Sequence, residues 1–112
     1  MENWLKPEMI KWTIECEPED SSPRGHFDDE RDIELAEKAW YDGDVWGWGV
    51  IKVTGEIEGL TAHDYLGGCT YDNEAQFLEC DYYRDMQGNI IDELEKKIDS
   101  IVKFQNEQKQ LF

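Results

Sequence analysis

The chain has 112 residues with 27 acidic and 11 basic side chains, a formal net charge of −16. A surplus of this size repels nucleic acid and anionic membranes, so we expect no direct binding to either. Five Trp, five Tyr and four Phe set the chain apart from disordered acidic sequences, which are poor in aromatic residues. The length fits one domain spanning residues 1–112.

The cysteine content and the hydropathy of the sequence bear on the cellular compartment of the protein. Cys16, Cys69 and Cys80 are odd in number and have no paired spacing, which is typical of free thiols in a reducing cytoplasm. No stretch approaches the roughly 20 apolar residues of a membrane span, and residues 1–7 lack the order of a secretory signal. We therefore expect a cytoplasmic protein.

The first half of the sequence predicts a strand, a loop and a helix. Residues 9–17 alternate between apolar and polar side chains, which predicts a half-buried strand. Pro, Ser and Gly in residues 18–28 predict a loop. Apolar residues at helical spacing predict a helix from residue 28 or 29 to residue 41, with Gly43 at its exit.

The second half predicts a hairpin and a long helix. Residues 45–57 and 60–71 pair as strands, and Gly67-Gly68 indicates a bulge or a close backbone approach in the second of them. A single helix over residues 73–107 follows and would span roughly 50 Å. Its C-terminal half must project, break at Gly88 or pack against a second copy. The fold class is α+β, in the order β-α-β-β-α: a three-stranded antiparallel sheet with helices on one face and a long C-terminal helix.

Sequence patterns that carry catalysis or bind metals are missing. Two histidines and widely spaced cysteines offer no zinc pair. His63 and Cys69 would stand roughly 20 Å apart on an extended strand, whereas a nucleophile and its base need about 3 Å. We expect no catalytic residue, no metal site and no cofactor, and hence no enzyme.

Trp46 and Trp48 flank Gly47 in a segment predicted to be extended, so their side chains would share one face of the strand. Burial of both in the core is the interpretation that we favour, because Trp is usually well buried. The alternative is an aromatic anchor at an interface, where Trp is enriched.

Several short motifs resemble a widespread set of small phage-encoded proteins of unknown function. The motifs are Trp46-Gly47-Trp48, Tyr65-Leu66-Gly67-Gly68-Cys69-Thr70-Tyr71 and Tyr82-Tyr83-Arg84-Asp85-Met86. The resemblance implies a bacteriophage origin and hence the cytoplasm of the host cell. It implies no particular chemistry.

The acidic surplus has a definite place in the sequence. Residues 15–44 contain twelve acids and three bases, a net of −9. A solvated acidic face is the default interpretation of such a run. The alternative is a surface that imitates the phosphate backbone of DNA. In size and charge the chain resembles anti-restriction, anti-CRISPR and uracil-glycosylase inhibitors of phages.

DNA mimicry predicts a partner and a binding surface. The partner would be a basic DNA-binding host protein or surveillance complex, because such proteins line their DNA groove with Lys and Arg. Carboxylates three and four residues apart on a helix lie about 5–6 Å from one another. The predicted partner-binding residues are Glu15, Glu17, Glu19, Asp29, Glu30, Asp32, Glu34, Glu37, Asp42 and Asp44.

The second hypothesis is a structural or regulatory interaction protein that homo-oligomerises through its C-terminal helix. Ile90, Leu94, Ile98 and Ile101 form a narrow apolar seam on this helix. A dimer contact and packing on the protein's own sheet account equally well for such a seam.

Overall fold

The computed structural model describes the backbone of residues 3–111 and the side chains of residues 3–108. Its elements confirm the predicted α+β class, with an antiparallel sheet in the order β1-β2-β3 and a long C-terminal helix. The strands are β1 (Lys11–Pro18), β2 (Gly49–Ile57) and β3 (Leu60–Cys69), and the helices are α1 (Glu30–Asp42), α2 (Glu74–Leu78) and α3 (Asp81–Leu111). A single 3-10 turn, Pro7–Met9, precedes β1.

The core lies between one face of the sheet and α3. Ile51 and Val53 on β2 are fully buried, and Ile90 and Leu94 of α3 belong to the same cluster. Alternation along β1 and β2 directs every second side chain to this face, as the period of a strand requires. The opposite face of the sheet is open to solvent.

The N-terminal segment is fastened to α3 by Glu95. The backbone N–H of Leu5 donates to the Glu95 carboxylate at 2.8 Å, and the Asn3 amide donates to the same carboxylate at 2.6 Å. The Leu5 side chain is buried in the core. These hydrogen bonds join residues about 90 positions apart in the sequence and hold the N-terminal segment against one side of α3.

The bounds of α1 confirm the predicted helix and its exit at Gly43. Asp29 accepts a hydrogen bond from the backbone N–H of Arg31 and caps the N-terminus. Gly43 ends the helix with φ at 75°, a conformation that glycine adopts without steric cost. The helix packs near the end of the sheet where β2 begins.

The prediction that a strand begins at residue 45 is wrong, because residues 45–48 form a turn. The side-chain carboxylate of Asp44 accepts a hydrogen bond from the backbone N–H of Gly47 at 3.1 Å. The backbone carbonyl of Asp44 accepts a second one from the N–H of Trp48 at 3.2 Å. A Cβ on residue 47 would stand 2.5 Å from that of Ala39. The close approach of α1 therefore requires glycine here and overrides the strand preference of the neighbouring Val and Trp.

The prediction of one helix from residue 73 is also wrong, because the chain breaks after Leu78. Asn73 caps the short helix α2, which closes with a hydrogen bond from the N–H of Cys80 to the carbonyl of Phe77. Phe77 is completely buried and lies within 6.3 Å of three aromatic rings. The chain changes direction between α2 and α3, next to the buried Phe77. The helix α3 then continues without a break through Gly88.

The far end of α3 projects beyond the sheet. Hydrogen bonds from Asn89 to Asp64 and from Lys97 to Thr61 show α3 running toward the hairpin turn that joins β2 and β3. Residues 99–108 are all exposed. The molecule measures 65 × 24 × 23 Å, so α3 projects from the rest of the described chain, and it does not break at Gly88. No helix among residues 3–111 is long and apolar enough to cross a membrane.

Candidate interaction surface

The acidic residues of α1 divide between two flanks of the helix. Glu30, Glu34 and Glu37 occupy one flank at spacings of four and three residues, the arrangement that brings side chains together on a helix. Asp32 faces the other side. The division follows from the burial of Ile33, which fixes the rotation of α1 against the protein.

A basic side chain lies within the first flank. The guanidinium of Arg24, from the loop before α1, is 3.1 Å from the carboxylate of Glu30 and 2.9 Å from that of Glu37. Glu37 is the more enclosed of the two carboxylates, with 21% of its side chain exposed. The three carboxylates and Arg24 together carry a net charge of −2, which is smaller than the sequence alone predicts for this row.

The second flank borders an open groove of about 540 Å³. Three carboxylates line the groove, those of Asp32, Asp44 and Asp72. Its apolar lining includes Leu35, whose side chain is 59% exposed, and Phe27. The groove thus combines negative charge with accessible apolar surface.

Glu19 is not available to a partner in the way that the sequence predicts. Its carboxylate accepts a hydrogen bond from the backbone N–H of Gly68 at 2.8 Å and lies 3.4 Å from the N–H of Ser21. Gly68 belongs to the predicted bulge in β3 and has φ at 63°. This half-buried carboxylate holds the loop after β1 against β3.

Three other predicted residues are exposed but have local partners. Asp29 caps α1, Asp42 is 2.8 Å from the ammonium of Lys38, and Asp44 accepts from the N–H of Gly47. The carboxylates of Asp29 and Asp44 still contribute negative potential, because a hydrogen bond to a backbone N–H leaves the charge in place, whereas Lys38 offsets the charge of Asp42.

Glu15 and Glu17 lie on the open face of the sheet, at the edge strand β1. Both side chains are exposed. Glu15 is in register with Lys52 of β2, which in turn lies over the ring of Tyr65. The predicted acidic surface therefore extends from α1 onto the outer face of the sheet, with a basic residue beside it.

The tryptophan pair does not form an exposed anchor. Trp48 is 1% exposed, its indole N–H donates to the carbonyl of Ser21 at 2.8 Å, and its ring packs against His26 and Phe27. Trp46 is half-buried near Phe77. Both tryptophans lie in a turn and not on one face of a strand. The interpretation as core residues fits Trp48, which is buried, and fits Trp46 in part, because that side chain is half-buried.

The predicted dimer seam is only partly accessible. Ile90 and Leu94 are buried against the protein's own sheet, and Ile98 packs at the margin of the core. Ile101 is 43% exposed. The first half of the seam therefore serves the monomer, because α3 lies across β2 and β3 there and projects only later.

Cys69 and Cys16 lie in surroundings that disfavour the thiolate. Burial raises the pKa of the Cys69 thiol to about 12 and that of Cys16 to about 11. His63 is on the open face, where its Nδ1 is 2.9 Å from the hydroxyl of Thr54. Among residues 3–108, whose side chains are described, no group of three or more His, Cys, Asp or Glu is placed to hold a metal ion.

Sequence reasoning missed several accessible residues. Leu35 belongs to the apolar pattern of α1 but faces solvent, and Val102 and Phe104 flank the predicted seam with 49% and 60% exposure. Arg24 was not recognised as a partner of the helix carboxylates. No local signal marks these features, because each depends on how α1 and α3 rotate against the rest of the chain.

Comparisons with models of known protein families, with curated proteins and with solved structures give no match to this chain. No relative therefore lends a function to this surface.

Proposed function

We propose that the protein is a phage-encoded acidic inhibitor that binds a basic DNA-binding enzyme or complex of the host's defence, of the restriction or CRISPR type, by imitating DNA. The observation that supports the proposal most directly is the gathering of exposed carboxylates around α1. Duplex DNA carries about one charge per 1.7 Å of axis, and helix carboxylates about 5–6 Å apart are close enough to occupy several phosphate subsites of one groove.

The rigidity of α1 adds to this argument. The helix is capped at both ends, and Ile33 and Ala36 anchor it in the protein. A preorganised row of charges loses little conformational entropy when it binds, which favours affinity. Glu15 and Glu17 extend the surface beyond the helix. Charges of one sign also steer the approach of a basic partner and make association sensitive to salt.

A binding experiment with purified defence complexes tests the proposal. The complex is titrated with the protein at 50 and 200 mM salt, with and without competing duplex DNA. We expect competition with DNA and weaker binding at the higher salt. The variant E30Q/D32N/E34Q/E37Q should lose at least tenfold in affinity. The control E8Q/E56Q/E58Q/D85N removes the same four charges from exposed positions away from α1 and should bind like the unchanged protein.

Exposed apolar residues at the end of α3 favour a second candidate, a non-enzymatic phage structural or regulatory protein that homo-oligomerises through this helix. Ile101, Val102 and Phe104 follow the part of α3 that the sheet covers. Apolar side chains grouped on a projecting helix are a feature of interaction surfaces. Sedimentation at several protein concentrations distinguishes this candidate, because it requires a dimer or larger assembly.

A further inference from the structure

The end of α3 differs from the rest of the molecule in charge. Residues 96–112 contain four lysines and two acids, a net of +2, so the remaining 95 residues carry −18. We call residues 96–111 the α3 end. It also carries the exposed apolar side chains of Ile101, Val102 and Phe104. The side chain of Phe104 is the most exposed of the three, at 60%.

The groove beside α1 has the complementary properties. Its rim carries the carboxylates of Asp32, Asp44 and Asp72, and Leu35 and Phe27 give it an apolar lining. Within the part of the chain that is described, the Asp32 carboxylate has neither a hydrogen bond nor an ion pair. A basic side chain adjoining a large apolar one would satisfy both parts of this groove, and the α3 end offers that combination in Lys103 and Phe104.

One molecule cannot make this contact with itself. The groove lies where β2 begins and β3 ends, at Gly47 and Thr70. The α3 end lies beyond the hairpin turn at the other extreme of a 65 Å molecule. A contact between the α3 end and this groove therefore requires two chains.

We propose that the α3 end of one copy docks in the α1 groove of a second copy, with Phe104 against Leu35 and Lys103 beside Asp32. Two copies lying antiparallel make the contact twice, because a two-fold axis relates each α3 end to the groove of the other chain. Such a dimer is closed and does not grow into a filament. It leaves the Glu30, Glu34 and Glu37 flank free on both copies.

The charges favour this arrangement over contact between two α3 ends. Two segments of net +2 would repel one another, whereas a segment of net +2 is attracted to the three carboxylates that line the groove. Association driven partly by these charges weakens as salt rises. The inference is independent of the inhibitor proposal and rests on the second candidate function, for which it names the docking surface.

Sedimentation equilibrium of the full chain at 50 and 500 mM salt tests the inference. We expect a concentration-dependent dimer that dissociates more readily at high salt. Phe104→Glu and Leu35→Glu should each raise the dissociation constant by roughly tenfold or more, the effect typical of an anchor residue at an interface. Gln105→Glu introduces the same negative charge at an exposed position on the side of the helix away from Lys103 and should leave the dissociation constant unchanged.

A mixture of Phe104→Glu and Leu35→Glu chains tests most directly whether the two surfaces pair with each other. A dimer of one Phe104→Glu chain and one Leu35→Glu chain retains one intact contact, so the mixture should associate more tightly than either variant alone. Reversal of charge provides a second readout: Lys103→Glu should weaken association, and Lys103→Glu combined with Asp32→Lys should restore it. Circular dichroism confirms that each variant keeps its helices.

Three results would overturn the inference. A monomer at all concentrations in low salt removes both the docking surface and the second candidate function. A dimer that responds to Phe104→Glu but not to Leu35→Glu places two α3 ends together, which keeps the second candidate and rejects the groove. A dimer that responds to neither variant assembles through another surface. None of these results bears on binding to a defence complex, so the inhibitor proposal is judged separately.

Discussion

The guanidinium of Arg24 lies 2.9 Å from the carboxylate of Glu37, thirteen residues later in the chain. The same nitrogen is 3.1 Å from Glu30, so one loop residue spans two carboxylates of the α1 flank. Exposed ion pairs contribute little to stability. The main consequence of this pairing is electrostatic: it offsets one negative charge where the proposed inhibitor needs a dense row of them.

Arg24→Gln is therefore expected to strengthen binding to a basic defence complex severalfold, because it exposes the full charge of Glu30 and Glu37. The dependence of affinity on salt should become steeper as well. Titration of the complex at 50 and 200 mM salt measures both effects. Lys11→Gln makes the same charge change at the far end of β1 and is the control. Equal affinities for the two variants would contradict a role for the α1 flank.

Glu19→Ala is expected to lower the free energy of unfolding by about 1–2 kcal/mol. The half-buried carboxylate accepts a hydrogen bond from Gly68, and a bond to a charged group contributes about 1.5–3 kcal/mol before allowance for solvent. Glu15→Ala removes an exposed carboxylate four residues earlier and should change the stability by less than about 0.5 kcal/mol. Urea unfolding followed by tryptophan fluorescence compares the two. Equal effects would mean that Glu19 is a surface residue.

Gly88→Ala is expected to stabilise the protein by roughly 0.5–1 kcal/mol, because glycine is a poor residue in a helix interior. An added Cβ would meet no atom within 4 Å. Gly55→Ala is the contrast: its Cβ would lie 2.7 Å from a methyl group of Ile90, so overpacking should cost about 1–3 kcal/mol. Thermal unfolding should move in opposite directions for the two variants, and a shift of the same sign would contradict the packing of α3 on β2.

The stability of the fold should decline in alkali. Burial raises the pKa of Cys69 from 9.0 to about 12 and that of Cys16 from 9.0 to about 11. Because the unfolded thiols ionise first, the contribution of these two thiols to stability is constant below about pH 8.5 and is lost between about pH 9 and 12. Unfolding by guanidinium chloride at pH 7.5, 8.5, 9.5 and 10.5 measures the fall. Cys69→Ala should make it shallower, and an unchanged slope would show that Cys69 ionises normally in the folded protein.

Much of the fold could be predicted because its signals are local. Apolar and polar side chains alternate along β1, Asp29 and Gly43 mark the two ends of α1, and the paired glycines mark the bulge in β3. The order of elements then leaves few topologies, and an antiparallel sheet in sequence order is among the simplest. These features need no knowledge of distant contacts.

The errors arise where packing overrides local preference. Residues 45–48 have strand propensity, but the approach of Ala39 to Gly47 makes them a turn. No glycine or proline marks the break between α2 and α3, which the burial of Phe77 imposes. Composition alone locates many of the acidic residues on α1, yet their division into two flanks and their pairing with Arg24 depend on helix rotation.

The most direct test of the inhibitor proposal measures phage plating on bacteria that carry a restriction or CRISPR system. The host expresses the unchanged protein, the α1 variant E30Q/D32N/E34Q/E37Q or the control variant E8Q/E56Q/E58Q/D85N. Both variants have a net charge of −12, against −16 for the unchanged chain. We predict that the protein and the control restore plating, while the α1 variant leaves the defence active. Equal plating with the α1 variant and the unchanged protein, or no restoration by either, would contradict inhibition through the acidic surface of α1.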